Sequence, residues 1–263
     1  MDRADLVHFR RRTLAVLQSA GVSLAELVYP PVCSGCGKMV GRRAALCGGC
    51  WTHVRFIERP YCEVTGVPFD HDRGDGLVSP QAISAPPPYE RARAAVFHDG
   101  VARKLVHGLK YSDRADLAAM MASWMLRAGR DVVDDSDVII AVPLHRARLF
   151  ARRYNQSAEL ARALARLSGK QFLPGALKRV RATRQQVGLG LRARQDNVRG
   201  AFLTTNQQAQ HFIGMKVLLV DDVLTTGSTV EAATRTLLKA GAARVNVLTF
   251  ARVASQGGET LYA

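Results

Sequence analysis

The sequence predicts an α/β fold, a parallel sheet flanked by helices, with a small cysteine-rich module in front of it. Three observations carry that prediction. From about residue 92 onwards, short aliphatic runs bounded by acids or proline alternate with longer stretches of helical spacing. Two of those runs, "DVIIAVPL" at 137–144 and "KVLLVDDV" at 216–223, are apolar through their centres, as strands covered on both faces are. All five cysteines fall between residues 33 and 62, outside the alternating region.

Taken in order, residues 1–29 are expected to be a helical lead-in. Leu14, Leu17, Val22, Leu24, Leu27 and Val28 lie at amphipathic spacing around Gly21, and Pro30-Pro31 stops the helix. Residues 30–70 hold the cysteine module. Residues 71–91, dense in Pro, Gly and Asp, read as a linker or long loop. The α/β domain is expected over 92–256. In it "ARAAVFHD" is a strand, and "VARKLVHGLKY" and "LAAMMASWMLRAG" are helices. After the strand at 137–144 comes a helix, "NQSAELARALARLSG", with Asn155 as N-cap and Gly169 just past its end. Residues 182–199, polar and basic, read as a long mobile loop. The strand at 216–223, the helix "STVEAATRTLLKAG" and the strand "RVNVLTFARV" complete the series. No repeat at a fixed period is evident.

The formal net charge of +15 predicts attraction to phosphate-rich partners, nucleic acid or small phosphorylated ligands alike. Residues 144–200 concentrate it, with fourteen Lys or Arg against two acids, Glu159 and Asp196. A solvated, arginine-rich face would have the same composition. No apolar stretch reaches the ~20 residues that span a bilayer, and the charged start "MDRADLVHFRRR" is unlike a secretory leader, so a cytoplasmic protein without membrane insertion is expected.

A reducing compartment turns the cysteines away from disulfides. "CSGCGKMVGRRAALCGGC" sets Cys33-x-x-Cys36 and Cys47-x-x-Cys50 ten residues apart, a spacing that can present four thiolates tetrahedrally to a structural Zn²⁺; free or redox-active thiols are the alternative. His53, beside four thiols, is read as a solvated or packing residue.

The strand at 216–223 ends in two adjacent carboxylates and runs into "LTTGST". In an open parallel sheet ligands bind beyond the carboxyl ends of the strands, so Asp221 and Asp222 stand at the rim. Thr225, Thr226, Gly227, Ser228 and Thr229 then lead into a helix whose first N–H groups have no carbonyl partner, which makes a phosphate cradle. Carboxylates beside a phosphate are tolerable if they face another part of the ligand, such as the adjacent hydroxyls of a sugar. No G-x-x-x-x-G-K-[ST] loop and no G-x-G-x-x-G after a strand offers a competing phosphate site.

"VLLVDDVLTTGST" resembles the 5-phosphoribosyl-1-pyrophosphate (PRPP) signature of type I phosphoribosyltransferases. With "HGLKY" at 107–111, "VPLHRARLFARRYNQS" at 142–157, "TRQQVGLGLRARQDNVRGAF" at 183–202 and the paired CxxC element, the chain is similar to the competence protein F (ComF, GntX-like) family over roughly residues 30–253. The resemblance implies a type I phosphoribosyltransferase-like sheet with a flexible hood loop and a zinc-ribbon-like module. It implies that Asp221 and Asp222 hold the ribose 2′ and 3′ hydroxyls and that Thr225 to Thr229 hold the 5′-phosphate, with Val223 and Leu224 part of the same PRPP-binding loop. Leu144, His145, Arg146 and the following residues to Arg148 would hold pyrophosphate with Lys110. Residues 183–199 would be the hood, with Thr183, Gln186, Arg194 and Asn197 at family-typical positions. Arg184 and Arg194 join the aspartates as catalytic candidates. The chain departs from the family at Arg152-Arg153-Tyr154, where an Arg-Gly-Phe run is usual, and at Thr65, where the partner of Cys62 in a further CxxC would stand.

Three functions follow from the resemblance. One is a Mg²⁺-dependent transferase acting on PRPP and an unidentified acceptor. The second is a non-catalytic module that processes single-stranded DNA or works with competence proteins. The third, a zinc-ribbon regulator using PRPP as effector, is weakened by the lack of a helix-turn-helix pattern. Ribosyl transfer passes through a cation-like C1 centre, so cations such as Arg146, Arg148, Arg184, Lys110 and Arg194 suit the leaving pyrophosphate.

Overall fold

The structure is a computed structural model that describes residues 30–71, 74, 76–111, 114–146, 149–150, 154–181 and 200–254. The expected lead-in over 1–29 and hood over 183–199 lie outside the described residues. Two compact units divide between Thr52 and His53.

In the first unit, an antiparallel bridge between Val32 and Met39 closes a knuckle on Cys33 and Cys36, and a short helix, α1 (Gly48–Trp51), starts from Cys47 as its N-cap. The second unit opens with a helix in the expected linker, α2 (Pro80–Ser84), capped by Ser79 and started by proline, whose missing N–H costs nothing there. The sheet follows. Strand β1 (Ala92–Phe97) leads to α3 (Gly100–Tyr111), α4 (Leu117–Ala128) and α5 (Arg130–Asp134). Then come β2 (Val138–Ala141), α6 (Gln156–Ser168), β3 (Gln171–Phe172), β4 (Lys178–Arg179), β5 (Phe202–Leu203) and α7 (Asn206–Ala209). Last are β6 (Lys216–Leu224), α8 (Ser228–Lys239) and β7 (Arg244–Arg252).

Five strands pair in the order β1-β7-β6-β2-β3, every pair parallel, as expected from the apolar runs; β4 and β5 form a separate antiparallel pair. Strand β6 is therefore central, and its period-two alternation serves two faces. Val217 and Leu219, with Val245 and Val247 of β7, join Val230, Ala233 and Leu237 of α8 in one core. On β7 the alternate residue Phe250 stacks on Trp124 of α4, with ring centres 5.8 Å apart. Helix α6 runs between the caps its sequence predicts: the Asn155 side chain accepts from the Ser157 N–H, and Gly169 closes the end in the left-handed conformation.

The structure contains an internal repeat without a fixed period. The segment 60–84 copies the local build of 31–52. Tyr61 bridges Pro68 as Val32 bridges Met39. The Cys33 N–H donates to Lys38 O at 2.7 Å and the Cys62 N–H to Val67 O at 2.8 Å; Val40 N–H to Pro31 O and Phe69 N–H to Pro60 O are both 2.9 Å. Gly37 and Gly66 hold the same turn position, both at positive φ. Residues 76–84, within the segment expected to be linker, thus form the closing part of a second ribbon. This second copy packs on the sheet: the Ala92 N–H donates to Val64 O at 2.8 Å, and the buried Arg93 guanidinium binds Glu63 at 2.7 Å and Asp131 of α5 at 2.8 Å.

Candidate functional site

The carboxyl ends of the parallel strands carry a cavity of about 340 Å³, where the crossover connections of such a sheet leave room for a ligand. Of the sequence-predicted residues, Asp221, Asp222, Val223, Leu224, Thr225, Gly227, Thr229, Leu144 and Lys110 line it. Thr226 and Ser228 do not; their hydroxyls hydrogen-bond to each other at 3.0 Å. His145 and the exposed Arg146 are also not among its lining residues. Arg148, Arg184 and Arg194 lie outside the described residues.

Each side chain is placed by a local cause. Asp221 and Asp222 end the apolar run of β6, and hydrogen-bonded pairing with β7 holds the strand to its last residue, Leu224, opposite Arg252. Gly227, at φ +84°, turns the chain from strand to helix, a conformation costly for residues with a Cβ. It leaves the first-turn N–H groups of α8 facing the loop. Lys110 comes from the last turn of α3, and its Nζ lies 2.9 Å from Asp222 Oδ2.

Asp221 has two donors on one oxygen: Ser157 Oγ donates to Oδ1 at 2.7 Å and the Asp222 N–H at 2.9 Å. Burial of its carboxyl, reinforced by the charge of Asp222, outweighs these donors and pushes Asp221 up to about 7. The pair is thus asymmetric, with Asp222 facing an ammonium and Asp221 holding its proton close to neutrality. His98, just beyond β1, lines the same cavity, and burial together with the Lys110 charge lowers its pKa.

His98, Ser157, Arg179, Tyr111, Val142, Pro143 and Val230 line the cavity without having been singled out as site residues. His98 carried a usable signal: as the residue after a parallel strand it had to stand at the rim. Ser157 sits in the first turn of the capped helix and points at a strand-end carboxylate. Arg179 gave no signal, because it enters from β4, where it lies over the Phe202 ring at 5.4 Å.

Tyr154, where the family usually has Phe, hydrogen-bonds through its hydroxyl to the Leu109 carbonyl, one residue before Lys110. It ties the end of α3 to the segment that also anchors Asn155 on Val142 O at 3.0 Å. Tyr154→Phe is expected to cost about 1 kcal/mol, read as a lower denaturation midpoint at unchanged m-value.

In the first unit Cys33, Cys36, Cys47 and Cys50 place their sulfurs within 4.8 Å of one another. Tetrahedral Zn²⁺ bonds of about 2.3 Å put sulfurs about 3.8 Å apart, close to the 3.6 Å between Cys36 and Cys47. Four thiolates leave no open position, so the metal such a set takes is structural. The Cys47 N–H supports the Cys33 sulfur at 3.2 Å and the Gly35 N–H at 3.4 Å.

Comparison with known proteins agrees with both halves. Residues 24–81 match a double zinc ribbon domain and residues 111–262 a phosphoribosyl transferase domain. DNA utilization protein YhgH of Salmonella typhi is 34% identical over 82% of this chain and 88% of its own. Competence protein F of Haemophilus influenzae is 26% identical over 84% of this chain and 90% of its own. A solved allosteric regulatory enzyme of purine biosynthesis aligns over 55% of this chain and 30% of that one at 21% identity, with a TM-score of 0.37. Among the described residues, no helix is long and apolar enough to cross a membrane.

Proposed function

We propose, from the premise that this chain belongs to the family of DNA utilization protein YhgH and competence protein F, that its cavity binds PRPP and transfers the phosphoribosyl group to an acceptor. One observation supports this above the rest: two carboxylates, a hydroxyl-rich loop at a helix start and a lysine meet in one cavity. Asp221 and Asp222 accept from the ribose 2′ and 3′ hydroxyls, which carboxylates do well and phosphates cannot share. Thr225, Thr229 and the N–H groups around Gly227 take the 5′-phosphate.

In the transfer, the bond between C1 and pyrophosphate breaks, a bond from C1 to the acceptor nucleophile forms, and the nucleophile gives up its proton. Lys110 neutralises charge on the departing pyrophosphate. His98, kept neutral by burial, is the base within the cavity that takes the proton. Mg²⁺ would supply further charge neutralisation on pyrophosphate, and the hard carboxylate oxygens of Asp221 and Asp222 suit it.

Calorimetric titration of PRPP with Mg²⁺ into the wild type and an Asp221→Asn, Asp222→Asn double variant tests the reading. Binding by the first and not the second is expected; no binding by folded, zinc-loaded wild type overturns it. A second reading, a DNA-processing role without transfer, is supported by the net charge of +15 and by the names of the relatives. Its mark is affinity for single strands that falls steeply with salt.

A further inference from the structure

The two ribbons share a backbone pattern but not a ligand set. Superposing their hydrogen bonds pairs Cys33 with Cys62, Cys36 with Thr65, Cys47 with Ser79 and Cys50 with Ala82. The match extends to the side chains. In the first copy the Cys47 N–H donates to Cys33 Sγ at 3.2 Å, and in the second the Ser79 N–H donates to Cys62 Sγ at 3.2 Å. The Cys50 N–H donates to Cys47 Sγ at 3.4 Å, and the Ala82 N–H to Ser79 Oγ at 3.3 Å.

A double zinc ribbon implies two metals, and the second does not fit here. Zn²⁺ in a closed site takes thiolate, imidazole or carboxylate. At the four corresponding positions the second copy has one cysteine, two neutral hydroxyls and a methyl group, from Cys62, Thr65, Ser79 and Ala82. Among the described residues, the Cys33, Cys36, Cys47 and Cys50 set is the group of such side chains close enough to hold a metal.

The Cys62 sulfur stands at the first ligand position, that of Cys33. It is fully buried and accepts from the Ser79 and Thr65 N–H groups at 3.2 and 3.5 Å, with the buried Arg252 guanidinium in electrostatic reach. Packing on β1 through Val64 and Arg93 adds what a cross-link otherwise supplies.

We infer that the second ribbon is a metal-free copy closed by hydrogen bonds to the Cys62 sulfur. The chain therefore binds one zinc, and removing it opens the first ribbon while the second stays folded. Elemental analysis of the full-length protein should give one zinc per chain. After chelation, mass-spectrometric mapping of iodoacetamide labelling should find Cys33, Cys36, Cys47 and Cys50 modified, and Cys62 at least roughly tenfold slower until denaturant is added. Two zinc ions per chain, or Cys62 labelling together with the other four, overturns the inference. A Thr65→Cys, Ser79→Cys, Ala82→Cys variant should take up a second zinc; a folded variant that holds no more metal than the wild type overturns the equivalence of the two copies.

Discussion

Asp221→Asn is expected to raise the melting temperature of the ligand-free protein at pH 8 by about 5–10 °C while abolishing its heat of binding to Mg²⁺ and PRPP. The cause is the raised pKa of a carboxyl that the fold surrounds with protein and sets beside Asp222. The unfolded chain releases this proton near 3.8, the folded chain only near 7, so between those values the native state binds more protons. Stability from this group is complete below about pH 4 and is lost as pH rises through about 7. Asparagine is the permanent neutral form, and its amide oxygen still accepts from Ser157. It removes a penalty on the order of 2–4 kcal/mol at pH 8 and nothing at pH 4. Melting curves of the two proteins should therefore coincide at low pH and diverge between pH 4 and 7. Equal separation at all pH values would mean that Asp221 is ionised throughout. Ligand binding has the opposite sign: ribose hydroxyls need the carboxylate, so the wild-type affinity should rise with pH up to about 7 and bind with proton release.

The parts legible in the sequence are those whose cause is local. Strands β2 and β6 were visible because burial on both faces demands apolar runs, β7 because its apolar residues are broken only by Asn246 and Thr249, and α6 because Asn155 and Gly169 mark its ends. Asp221, Asp222 and the loop to Thr229 were visible because strand-end acids and small residues have few other uses. The pairing of Lys110 with Asp222 was not, since it depends on how α3 returns over the sheet, a property of the tertiary fold. The second ribbon escaped for a different reason. Three of its four ligand positions have changed, and the ten residues between Cys36 and Cys47 become thirteen between Thr65 and Ser79, so neither composition nor period betrays it. What persists is a backbone pattern, and among side chains little more than Cys62 and Gly66.

That shared glycine allows the two copies to be compared directly. Gly66→Ala is expected to destabilise the zinc-loaded protein by about 3–5 kcal/mol, whereas Gly37→Ala should cost only about 1 kcal/mol. Both positions lie at positive φ, 64° and 77°, so the conformational penalty of a Cβ is common to the two. Their surroundings differ. A Cβ at Gly37 meets nothing within 4 Å, but one at Gly66 falls 2.3 Å from the Ala92 carbonyl oxygen, a backbone atom fixed by the pairing of β1 with β7. The knuckle must then move off the strand, which breaks the Ala92 to Val64 hydrogen bond and pulls Glu63 from the buried Arg93. Losing one partner of a buried guanidinium adds to the cost. Chemical denaturation of both variants, followed by tryptophan fluorescence and loss of sheet signal, measures the difference. Similar costs at the two positions would show that the second ribbon is only loosely laid on β1. The expected disparity would show that close backbone contact with the sheet does for this copy what zinc does for the other.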